Sequence, residues 1–147
     1  MSLLNGLSIS DNHRRTIAAT MTLLDKQLSQ LERYCRGQTF KGPLYLERDD
    51  LSLWQKDSIL KEIDATRRVL TEMRDHLALP VTAERFTEMT RAKSSILWAS
   101  LVELESSHLQ RYGRLPDGFG PAHDLMLQFI LARLDAISHI TRETHRP

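Results

Sequence analysis

Apolar residues recur at alternating steps of three and four in four stretches of this chain, most cleanly at Ile17, Met21, Leu24, Leu28, Leu31 and Cys35. That period places all six on one side of a helix. Ser10 or Asp11 can cap its first free amides and Gly37 can take the left-handed conformation that ends it, so the pattern predicts a first helix over about 11–35. Ile59, Ile63, Thr66, Leu70, Met73 and Leu77 predict a second over 51–79, following Asp50 and stopped by Pro80. Phe86, Met89, Ile96, Leu97, Leu101, Leu104 and His108 predict the longest rod, 83–112. Thr82 would cap it, Val81 would staple against Phe86, and Gly113 would end it. His123, Leu127, Ile130, Leu134 and Ile137 predict a fourth helix over 121–144, with Pro121 as its first residue.

The connections arrange these helices. Short links join the second helix to the third and the third to the fourth, where 114–120 holds Pro116, Gly118 and Gly120. Short links favour antiparallel neighbours. The chain therefore reads as all-α: an antiparallel up-down four-helix bundle, one domain over 1–147, with a long loop between helices 1 and 2. That loop, 36–49, carries Phe40, Leu44, Tyr45 and Leu46 and is expected to lie against the bundle. Fully extended, its ~14 residues reach about 46 Å, so a crossover with helices 1 and 2 parallel is the alternative topology.

Composition narrows the partners. Twenty basic and nineteen acidic side chains leave a formal net charge of +1, mixed along every segment, which gives no preference for nucleic acid or membrane. Arg14-Arg15 and Arg67-Arg68 lack the aromatic companions of a nucleic-acid footprint. The longest apolar runs, Ile96 to Ala99 and Phe129 to Ala132, are far shorter than the roughly 20 residues a bilayer needs. Met1 to Ser10 has no positive stretch and does not read as a signal peptide. A single cysteine excludes an internal disulfide and points to a cytoplasmic protein.

Three clusters carry possible chemistry. Glu105 and His108 form one Glu-x-x-His pair, and His123 falls near the same end of the expected bundle, so a divalent metal such as zinc would find three ligands there and water as a fourth. The competing reading is a histidine bonded to a neighbour at a helix end. A di-iron site needs a second such pair, which is absent. The pairs Glu72–His76 and Asp135–His139 read as surface pairs. Arg33, Arg36, Arg111 and Arg114, with His123, gather at the same end and could hold a small anion, although Asp49, Asp50, Asp117 and Asp124 dilute the field. Asp117-Gly118-Phe119-Gly120 follows no strand and is no phosphate loop. Cys35 continues the core stripe and reads as packing rather than nucleophile. No catalytic residues can be assembled, and no cofactor is expected unless the divalent metal binds.

The third and fourth helices carry more apolar residues than one seam requires. Leu97, Trp98, Leu101 and Val102 in one, and Phe129 in the other, are the expected interface. The chain thus reads as a non-enzymatic interaction or regulatory protein, paired with itself as a homodimer or with another protein. A metal- or anion-binding bundle, possibly an enzyme, is the alternative, as is a long loop that covers the apolar excess.

Overall fold

The computed structural model describes residues 8–143 and is all-helical. The sequence readings of Met1 to Leu7 and of Thr144 lie outside the described residues. Two compact units divide the chain, Met1–Thr82 and Ala83–Pro147. The first holds α1 (Asp11–Cys35) and α2 (Leu53–Leu77). The second holds α3 (Phe86–Val102), α4 (Ser106–Leu109), a 3₁₀ turn at Gln110–Tyr112, and α5 (Phe119–Ile140). No helix among the described residues is long and apolar enough to cross a membrane.

The ends of the first two helices are set by local chemistry. Ser10 accepts the His13 N–H at the start of α1. At its end, Gly37 takes φ 68° while the Gly37 and Gln38 amides return to the carbonyls of Tyr34 and Arg33. This is a Schellman cap, which satisfies carbonyls the helix leaves unpaired. Ser52 and Gln55 form a reciprocal capping box at the start of α2. Its C-cap, Ala78, is left-handed at φ 52° and ψ 47° without being glycine.

Bonds between α1 and α2 run in the antiparallel sense. Arg14, near the start of α1, donates from Nε to the Leu77 carbonyl at the end of α2 (2.9 Å). Further along, Arg67 of α2 donates to Glu32 (2.7 Å) and to Ser29 (3.1 Å) of α1. Ala18, Leu28 and Cys35 of α1, with Ile63 and Leu77 of α2, are buried. These belong to the stripes that the three-four spacing marks, Ala18 excepted.

The apolar residues of the connecting segment do not lie on the helices as expected. Phe40, Leu44, Tyr45 and Leu46 are all exposed, Leu44 completely. The segment is held instead by a carboxylate. Glu47 receives both Nη groups of Arg33 (3.2 and 3.0 Å) and the Phe40 amide (3.0 Å). A single antiparallel bridge joins Lys41 to Leu46, and Phe40 stacks on Tyr45 with centroids 5.9 Å apart. Asp49 pairs with Lys56 at the entrance to α2. Polar clamps thus shape a turn whose apolar side chains cover each other only in part.

In the second unit the expected rod over 83–112 is interrupted. Helix α3 begins at Phe86 after Arg85, whose side chain makes no capping bond, and it stops at Val102. Phe86 is exposed, and α3 starts there instead of directly after Thr82, the expected cap. Helix α5 starts at Phe119 after Gly118 at φ 79°, which puts Pro121 in its first turn, where a missing N–H costs nothing. Trp98 and Ser94 near the middle of α3 line a cleft with Leu134 and Ser138 late in α5, while Leu104 beyond α3 meets His123 early in α5, so the two helices are antiparallel.

Candidate functional site: the apolar faces of the second unit

Two residues early in α5 explain the interruption. His123 Nε2 lies 2.8 Å from the Leu104 carbonyl, which accepts its proton. The next residue, Asp124, accepts the Ser106 N–H (2.9 Å) and the Ser106 hydroxyl (2.6 Å). One residue thus serves a carbonyl just past α3 while its neighbour caps α4 from another helix. These bonds from Ser106 hold the Asp124 carboxyl below the usual range, with the nearby His123 adding to the effect. Phe119 stacks on the His123 ring, centroids 4.8 Å apart, and fixes its orientation.

The residues expected to bind a metal or an anion are placed as follows. Glu105 is the N-cap of α4 and His108 lies within α4. His108 Nδ1 lies 3.2 Å from Arg111 and 3.9 Å from Glu103, while His123 is turned to the Leu104 carbonyl. Among the described residues, no three His, Cys, Asp or Glu side chains come together as metal ligands would. Arg33 and Arg36 belong to the first unit and are engaged by Glu47 and Glu32. In the second unit Arg111 pairs with Glu103, and Arg114 is exposed.

What distinguishes the second unit is how its apolar residues are distributed. Leu127 and Leu131 are buried, and Leu134 and Ser138 are half-buried. At 3.6 residues per turn these four share the arc that faces α3. Of the expected seam, Leu127 and Leu134 lie on this arc, whereas Ile130 and Ile137 lie to one side of it and are exposed. Together with Met126 they form a lateral stripe. On the side away from α3 lie Leu125, Phe129, Ala132 and Ala136, all exposed; Leu125 is 74% and Phe129 66% exposed. Arg133 lies over the Phe129 ring, 5.2 Å from its centroid.

Helix α3 adds to the lateral stripe. Leu97 and, just beyond the helix, Leu104 are exposed on the side that carries Ile130 and Ile137 in an antiparallel pair. The opposite side of the hairpin is polar. A cleft of about 170 Å³ lies there, between Ser94, Ser95 and Trp98 of α3 and Leu134, Asp135 and Ser138 of α5. Of the five residues expected at an interface, Leu97 and Phe129 stand open, Trp98 lines this polar-side cleft, and Leu101 and Val102 are half-buried. Sequence reasoning passed over Ala132 and Ala136, whose signal is their spacing of three and seven from Phe129.

No protein-family model, curated protein or solved structure matches the chain, so its function must be read from these faces alone.

Proposed function

We propose that the protein is a non-enzymatic interaction or regulatory protein that works as a homodimer through α3 and α5, with its long helices arranged as an antiparallel up-down bundle. One observation carries this: α5 is apolar on three sides, and α3 covers only one of them. A helix of that kind belongs in the middle of an assembly, because a helix at a surface keeps a polar face toward water. Contiguous apolar surface beyond a few hundred Å² marks an interaction site, and a two-fold homodimer is the commonest way to cover it. Antiparallel pairing within each hairpin supports the bundle. Light scattering on the eluting protein tests the proposal: a dimer is expected, and a monomer at every concentration up to the solubility limit contradicts it.

A further inference from the structure

The outward stripe of α5 has a pattern of its own. Leu125, Phe129, Ala132 and Ala136 follow steps of four, three and four, the spacing of a coiled-coil seam. Its first two positions are large and its last two are small. In a parallel self-pairing Phe129 would meet Phe129 and Ala136 would meet Ala136, so the helices would be wedged apart at one end and leave a void at the other. In an antiparallel self-pairing centred between Phe129 and Ala132, every large side chain meets a small one. Phe129 falls opposite Ala132 of the second copy, and Leu125 opposite its Ala136. Ile140, 66% exposed, comes within one residue of the level of the second copy's Ala122. Alternating large and small side chains fill the space between two helices at one constant separation, which close packing requires.

Area and charge agree with this occupant. At ~200 Å² for a large side chain, the exposed parts of Leu125, Phe129 and Ile140 supply roughly 400 Å² per copy before Ala132, Ala136 and the backbone are counted, about half of the ~800 Å² per partner in a standard interface. The stripe itself carries no charge, and Arg133 stands at its border over Phe129. Nothing in such a pairing places a charged group in the seam.

We infer that α5 pairs with α5 of a second copy in antiparallel orientation, with the two-fold axis passing between Phe129 and Ala132. The inference rests on the homodimer proposed above and specifies its helix, direction and register.

Cysteine cross-linking separates the two claims. Leu125→Cys and Ala136→Cys are made singly; both positions are exposed, and the native thiol, Cys35, is buried, so the parent protein is the control. In the antiparallel register the cysteine at 125 of one copy meets that at 136 of the other. Like positions are then 11 residues apart along the axis, about 16 Å, beyond the ~7 Å that a disulfide can bridge. Mild oxidation should therefore give covalent dimer in an equilibrated mixture of the two variants and none from either alone. Self-linking of Leu125→Cys would show a parallel pair and overturn the inference. A mixture that stays unlinked although native mass spectrometry finds dimer would overturn the register and leave the homodimer standing. Monomer alone in that spectrum would remove both.

Discussion

Asp124 caps a helix to which it does not belong: its two carboxylate oxygens take the Ser106 N–H at 2.9 Å and the Ser106 hydroxyl at 2.6 Å. The chain between α3 and α4 depends on it, since the free amides at the start of α4 receive no side-chain bond from Glu105, the residue at the N-cap. Asp124→Ala should lower the melting temperature and speed hydrogen exchange at Ser106, leaving the middle of α2 unchanged. Unaltered exchange at Ser106 would show that the cap is idle.

The same bond sets a pH dependence. Asp124, Glu47, Glu32 and Asp49 all have carboxyls held below their ordinary range, chiefly by hydrogen bonds from Ser106, Arg33, Arg36 and Lys56 respectively. A carboxyl depressed in the folded state contributes stability that is full above its unfolded pKa and is lost as pH falls through its folded value. Stability from these four groups should therefore stay level from pH 7 down to roughly 5 and fall below about 4. Glu47→Gln should flatten part of that acid slope and loosen the 38–47 segment in hydrogen exchange. An acid profile identical to that of the parent would count against the Arg33–Glu47 clamp.

Ala78 holds φ 52°, where a β-carbon is crowded and glycine is not. Ala78→Gly should relieve that strain, offset in part by the freer unfolded chain, for a net gain of up to about 1 kcal/mol in chemical denaturation. Loss of stability would mean that the methyl group has a packing role. Ser52→Ala should do the reverse, costing about 1 kcal/mol through the lost capping box.

Two neighbouring positions on α5 should respond in opposite ways. Leu127 is 3% exposed and faces α3, so Leu127→Ala should cost about 2–5 kcal/mol of folding stability. Phe129 faces away, so Phe129→Ala should change the stability of the isolated fold by no more than about 0.5 kcal/mol while weakening self-association. Equal destabilisation by the two would place Phe129 in the monomer core.

The helices were legible in the sequence, and the exceptions have physical causes. The seam of α1 through Leu28 and Cys35 is correct because, apart from Ala18, Ala19, Leu23 and Tyr34, the rest of that helix is polar and leaves the period one phase. In α5 apolar residues surround the helix, so the period has no unique phase: the expected pattern was right at Leu127 and Leu134, took Ile130 and Ile137 in error, and missed Leu131. The break after Val102 has no Gly or Pro to announce it; His123 and Asp124 impose it from 19 and 18 residues away, respectively. Similarly, Glu47 holds its segment through Arg33, 14 residues earlier, which apolar content does not reveal. Glu105, His108 and His123 share a neighbourhood in sequence terms, but His123 spends its bond on a backbone carbonyl. An apolar surplus in the third and fourth helices was visible from residue types, and its division into stripes required the position of α3.

Whether a second copy covers the outer side of α5 is tested most directly by native mass spectrometry of the parent protein beside Phe129→Glu. A carboxylate at Phe129 would be taken out of water at the centre of the paired state, with Arg133 at the border of the seam as its nearest cation, and would be fully solvated in the single chain. The parent is predicted to be a dimer and Phe129→Glu a folded monomer with unchanged helicity. A monomeric parent, or a Phe129→Glu protein that remains dimeric, would contradict the account.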